Sequence, residues 1–131
     1  MDPLEYSDHV CAKCLKPCTI HTSGRQLKDY EWCPECKAEH KRIERTVWWF
    51  NYKFKMFTRR DIFNRDGYKC YLCSTELTQA SPDATLDHLV PISRGGFSSF
   101  DNLKLCCAGC NIQKADMLLE EYEQHRLEMN L

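Results

Sequence analysis

Apolar residues recur every three or four positions between Lys37 and Met56, at Ile43, Val47, Phe50 and Phe54, which predicts a helix with one apolar face. That spacing makes Phe50 and Phe54 core residues, whereas Trp48 and Trp49 fit packing and base stacking equally well. Further along, Ala84 to Val90 reads as a buried strand ending at Pro91, and Leu103 to Cys106 as a second strand. Helical spacing returns from Met117 to Met129, with Leu118, Leu119, Tyr122 and His125 or Arg126 on the inner face and the acids solvated.

The punctuation between these segments is specific. Thr58-Arg-Arg-Asp61 has the form of a capping box with Asp in place of Glu, and Gly67 stands where the short helix it opens would end. Ser93-Arg94-Gly95-Gly96 must turn, because paired glycines permit backbone angles that other residues avoid. After the second strand a helix runs to about Ala115, giving the order strand, loop, strand, helix. Near the start, Thr19 to Tyr30 reads as a hairpin with Ser23-Gly24 at its tip.

A chain of 131 residues holds one ordinary domain or two very small ones, and small units need a staple. Ten cysteines supply candidates. Eight of them form four C-x2-C pairs, at 11/14, 33/36, 70/73 and 107/110, which leaves Cys18 and Cys106 over. Two thiolates on a tight turn suit tetrahedral zinc, and a closed site needs two such pairs. Cys11, Cys14, Cys33 and Cys36 have the separation of a zinc ribbon or knuckle, with Cys18 a plain buried thiol and His9, His21 and His40 surface histidines. Cys70 and Cys73 stand too far from Cys107 and Cys110 for an ordinary ribbon, which fits an active-site loop inserted between the halves of a second structural zinc site.

Disulfides would imply secretion, but the start lacks the basic and apolar regions of a signal peptide, and no run approaches a membrane span. The expectation is a cytoplasmic protein of a reducing compartment with no membrane partner. Net charge is only -1, and its distribution is more telling. Residues 37–69 hold ten Lys/Arg, among them Arg59 and Arg60 as candidate phosphate contacts, against four acids, while the segment from Asp116 onward is acidic.

Four thiolates leave zinc no open position, so hydrolytic chemistry would need a second metal. Asp87 and Asn111 supply the oxygen ligands that a hard divalent cation such as magnesium prefers. His88, largely neutral near physiological pH, can accept a proton from an attacking water. Together these would hydrolyse a phosphodiester. Neighbours within a regular strand point to opposite faces, so Asp87 and His88 require a strand end or a bulge to serve one site.

These residues carry a resemblance. Arg65-Asp66-Gly67-Tyr68-Lys69-Cys70-x2-Cys73, Asp87-His88-x2-Pro91-x-Ser93-Arg94-Gly95-Gly96, Asn102-Leu103 and Cys107-x2-Cys110-Asn111-x2-Lys114 together resemble the HNH endonucleases of the ββα-metal superfamily. The resemblance covers about Arg59 to Asp116. It implies His88 as general base, Asp87 and Asn111 as ligands of Mg2+ or Mn2+, and Asn102 as the residue that pins the loop between the strands. Arg94 and Lys114 stand where phosphate contacts would help, although Lys114 reads equally well as solvated charge.

The expected architecture is therefore a small zinc-stabilised α+β protein: a four-cysteine zinc unit over 1–40, a basic and aromatic linking helix over 41–57, and an HNH nuclease module over 58–131. The expected activity is metal-dependent cutting or nicking of DNA by a monomer or weak dimer, with two structural Zn2+ and the basic middle giving salt-sensitive backbone affinity. Mobile-element, restriction and phage settings all suit such a nuclease. The rival class is a non-catalytic zinc protein that binds nucleic acid, whose signature would be loss of Asp87, His88 or Asn111.

Overall fold

The structure is a computed structural model and describes residues 5–129. Among these are two two-stranded antiparallel sheets and four α-helices, and the chain divides into compact units Met1–Ile43 and Glu44–Leu131. No described helix is long and apolar enough to cross a membrane.

In the first unit, β1 (Tyr6–Val10) pairs with β2 (Pro17–His21), Tyr6 opposite His21 and Val10 opposite Pro17. The first C-x2-C turn is the connection between them. This corrects the expected hairpin over Thr19 to Tyr30. The Ser23-Gly24 turn does form, at φ 48° and 82°, but it carries the chain away from β2, whose partner lies upstream. Cys11, Ile20 and Cys33 are buried here together with Glu31. Arg25 donates to both oxygens of Glu31, at 2.6 and 2.9 Å, and those bonds hold its carboxyl down at about 2. His40 is also buried, edge-on to Trp32 at 5.5 Å between centroids, so it is no surface histidine.

Helix α1 (Pro34–Lys53) starts beside Cys33, with Pro34 at the first position, where a missing N–H removes no helical bond. The boundary between the two units falls inside it. Its far half and the turn after it depart from expectation: Phe50, in the helix, and Phe54, just beyond it, are 46% and 55% exposed and stand outside the core. Periodicity says which side chains share a face; it cannot say that anything covers that face.

The second unit is organised by α2 (Arg59–Arg65), β3 (Ala84–His88), β4 (Leu103–Cys107), α3 (Ala108–Lys114) and α4 (Leu119–Met129). Thr58 and Asp61 make the expected capping box, Oγ1 accepting the Asp61 N–H at 3.2 Å and Oδ2 the Thr58 N–H at 2.8 Å, a motif whose cap contributes about 1 kcal/mol. Gly67 then reverses the chain at φ 68°.

Ile62 and Phe63 on the buried face of α2 pack with Leu77, Leu103, Leu105 and Cys106, each large side chain contributing about 1.5–3 kcal/mol by burial. Arg65 and Asp66 lock α2 to β4: Arg65 donates to the Phe100 carbonyl at 2.5 Å and to that of Leu103, and Asp66 accepts the Leu105 N–H at 2.8 Å. On α4 only Tyr122 is buried, while His125 and Arg126 are exposed, contrary to the inner face expected for them.

Candidate functional site

Each unit carries a cluster of four cysteine sulfurs, Cys11/Cys14/Cys33/Cys36 and Cys70/Cys73/Cys107/Cys110, with the sulfurs of each cluster all within 4.8 Å of one another. A tetrahedron with metal–sulfur bonds of about 2.3 Å has edges of about 3.8 Å. The Cys14–Cys33 and Cys73–Cys107 separations, 4.0 and 3.8 Å, match that edge, so either cluster could hold a tetrahedral metal.

Backbone N–H groups support the thiolate form of Cys11. Burial raises this thiol, but the N–H groups of Cys14, Cys33 and Lys13 outweigh burial and bring it to about 6. Cys73 falls to about 6 through hydrogen bonds from Thr75.

Strand alternation separates the neighbours Cys106 and Cys107. Cys106 is fully buried in the core, opposite Thr85, and burial raises its thiol. Cys107 belongs to the sulfur cluster and caps α3 by accepting the Cys110 N–H.

β3 and β4 pair without interruption from Ala84–Cys107 to His88–Leu103. No bulge intervenes, so Asp87 and His88 diverge as strand neighbours must, and His88 is the last paired residue. Asp87 is buried; Tyr71 donates its hydroxyl to Oδ2, and the Lys114 ammonium lies 3.2 Å from the same oxygen. Burial, then the bond to Asp87, raises the Tyr71 phenol and keeps it a donor. Thr85 shares the Asp87 face of β3, and its Oγ1 accepts Asn111 Nδ2 at 3.0 Å while donating to the Cys106 carbonyl at 2.8 Å. Asn111 and Lys114, one helical turn apart on α3, therefore face Thr85 and Asp87.

His88 leaves the strand with Nε2 3.0 Å from Ser98 Oγ and its carbonyl accepting Lys114 Nζ at 2.9 Å. Ser98 is gripped by α1: both oxygens of buried Glu44 accept its N–H, and Asn51 donates to its carbonyl at 2.8 Å. Burial lowers the imidazole pKa, the charges of Glu44 and Asp87 oppose that, and Lys114 adds to it, leaving a neutral ring at neutral pH.

The loop after β3 is tied by Asn102. Its Oδ1 accepts the Val90 N–H at 2.9 Å, and its Nδ2 donates to Val90 and Phe97 carbonyls at 2.9 and 2.8 Å.

Two residues expected at phosphates are occupied elsewhere. Lys114 has no exposed surface and is given wholly to Asp87 and the His88 carbonyl. Arg94 pairs with Glu121 and donates to the Asp116 carbonyl at 3.3 Å, which fastens the start of α4. Arg59 gives one nitrogen to the Ala84 carbonyl at 2.9 Å, whereas Arg60 is exposed. Sequence reasoning missed Glu44, Tyr71 and Ser98, none of which lies in a recognisable spacing.

The Asp87 carboxylate and the Asn111 amide, where β3 meets α3, are oxygen donors of the kind a hard divalent cation takes, and His88 leaves the end of the same strand. Both partners of Asp87 sit on Oδ2, and Asn111 gives its NH2 to Thr85, so Oδ1 of each residue lies outside those bonds and could hold such a cation. Residues 70–127, which contain Asp87, His88, Ser98, Asn102, Asn111 and Lys114 but not Glu44 or Asn51, match a family model described as HNH endonuclease, which points to a nuclease. No curated protein matches the chain.

Proposed function

We propose, from the match of residues 70–127 to the HNH endonuclease family, that this chain hydrolyses DNA phosphodiester bonds with a divalent cation. The observation that carries the reading is the convergence of β3 and α3, which brings Asp87 and Asn111 to facing surfaces with His88 at the strand end.

Asp87 and Asn111 would hold Mg2+ or Mn2+ through their side-chain oxygens, and the bound cation supplies neutralising charge to the scissile phosphate and the leaving oxygen. With its Nε2 proton toward Ser98 Oγ, 3.0 Å away, His88 would keep the lone pair of Nδ1 for a proton of the attacking water. The lowered imidazole pKa keeps that lone pair available at neutral pH. Lys114 holds Asp87 Oδ2 and the His88 carbonyl together, and Asn102 fixes the loop that carries Ser98. The cysteine clusters brace the fold with zinc. One such centre per chain nicks one strand per encounter.

Relaxation of supercoiled plasmid in magnesium or manganese tests the reading. His88→Ala, Asp87→Ala and Asn111→Ala each abolish or strongly reduce nicking while DNA binding persists. Wild-type nicking by His88→Ala overturns the assignment of the base, and binding without metal-dependent nicking by the native chain leaves the non-catalytic class standing.

A further inference from the structure

The span from Arg45 to Arg60 lies outside the matched residues and carries a surface that the hydrolytic site does not use. Trp48, Trp49, Phe50, Tyr52, Phe54 and Met56 are all exposed, Tyr52 at 74%. A monomer seldom leaves so many large apolar side chains wet along one short span without a binding task. Two pairs are already organised as stacks: the Trp48 and Tyr52 rings lie 5.7 Å apart and parallel within 2°, and the Lys53 ammonium sits 4.9 Å over the Trp49 ring. Trp49, Tyr52, Lys55 and Phe57 contribute to an open hollow of about 670 Å³.

Charge narrows the occupant. Residues 45–60 contain five Lys/Arg and no acid, so a second copy of the same face would bring like charges together. A membrane-surface helix segregates apolar from cationic positions. Here Trp49 and Lys53 share one ridge, and the aromatics at 48, 49 and 50 spread over about 200° of the helix, at about 100° per residue. A cationic rim with open ring faces complements a polyanion that offers ring faces of its own. Duplex DNA keeps those faces inside its stack; a strand with unpaired bases presents them.

Position agrees with charge. Asn51, between Phe50 and Tyr52, donates to the carbonyl of Ser98, whose hydroxyl meets His88, so the aromatic surface adjoins the loop that contacts the general base.

We propose that α1 from Trp48 onward, with the following Phe54 to Phe57, is a binding platform for DNA with unpaired bases and directs a single-stranded segment toward His88. That the polymer is DNA rests on the nuclease reading; the binding of unpaired bases is tested apart from it.

The full chain is titrated, without added magnesium or manganese, with oligothymidine of about twenty nucleotides and with a duplex of equal length, following tryptophan fluorescence and anisotropy. Oligothymidine quenches the fluorescence and binds about tenfold more tightly than duplex. Trp48→Ala, Trp49→Ala and Tyr52→Ala each weaken oligothymidine binding about tenfold, Trp48→Phe much less, and none alters duplex affinity as strongly. These positions are exposed and helical, so alanine leaves the fold intact, as circular dichroism checks. Lys53→Ala and Lys55→Ala weaken both ligands and flatten the salt dependence. Equal or tighter binding of duplex overturns the proposal, as does undiminished oligothymidine binding by the alanine variants. Self-association abolished by Trp48→Ala without oligonucleotide binding also overturns it, as does attachment to phosphatidylglycerol vesicles in place of oligothymidine. Absence of plasmid nicking with oligothymidine binding intact would sink the nuclease reading alone.

Discussion

Both carboxylate oxygens of Glu44 accept the backbone N–H of Ser98, at 3.1 and 3.0 Å, and Ser98 Oγ lies 3.0 Å from His88 Nε2. A helix outside the matched segment thereby orients the ring that would take the proton. Burial lowers the His88 pKa, and the Glu44 charge is the leading influence that raises it again. Removing that charge moves the pKa further down, so the acid limb of the cleavage profile, where His88 becomes protonated and inactive, shifts to lower pH. Glu44→Gln is expected to show this shift with a several-fold loss of rate. Ser98→Ala frees the ring and lowers the rate about tenfold to a hundredfold. Initial nicking rates between about pH 5.5 and 8.5 read both effects, and an unshifted limb in Glu44→Gln would show that its charge does not reach His88.

The buried pair between Lys114 and Asp87 has a different consequence. With side chains 0% and 6% exposed, neither group has water to fall back on. Lys114→Met leaves the Asp87 carboxylate uncompensated and is expected to cost about 3–5 kcal/mol in urea denaturation. Adding Asp87→Asn removes the orphaned charge and restores a large part of that loss without restoring cleavage. If the second substitution instead adds fully to the first, the two groups do not act as a pair.

Loop closure depends on close approach as well as on Asn102. A Cβ on Gly96 would sit 1.7 Å from the Val90 carbonyl oxygen and 2.9 Å from Asn102 Nδ2. Gly96→Ala must therefore push Val90 and Asn102 apart, whereas Asn102→Ala only strips their hydrogen bonds. Both lower the melting temperature and the nicking rate, Gly96→Ala more severely. The ordering is read by calorimetry, and a harmless alanine at 96 would refute the close approach.

Features that the chain encodes over short range were legible in the sequence. The Thr58/Asp61 box, the turn at Gly67 and the C-x2-C turns depend on residues a few positions apart, and β3 and β4 announce themselves by apolar runs ending at Pro91 and at the cysteine pair. Asp87, His88 and Asn111 stood out as candidates because acid, imidazole and amide at that spacing have a chemical meaning. Glu44 did not, because its meaning depends on Ser98, fifty-four positions away. Lys114 was misjudged for the same reason: burial of an ammonium is decided by Asp87 across the β3–α3 contact, and nothing local signals it. Phe50 and Phe54 obeyed helical periodicity yet face solvent, since amphipathic spacing fixes a stripe without fixing its cover.

Separation of the two sulfur clusters into different units gives the last prediction. If both hold zinc, the purified chain contains about two equivalents by elemental analysis, and each cluster loses its metal independently. Cys110→Ser removes one equivalent and abolishes nicking, because Cys110 sits on the first turn of α3 directly before Asn111, and loss of the cluster releases the turn that aims the amide. Asn111→Ala retains both equivalents and a near-native melting temperature, and loses nicking only through the missing oxygen ligand. Cys36→Ser also removes one equivalent but leaves residual nicking, since its cluster is built wholly within Met1–Ile43. Loss of zinc from Asn111→Ala would collapse the distinction between a bracing metal and a catalytic one, because the amide would then be supporting the sulfur cluster itself.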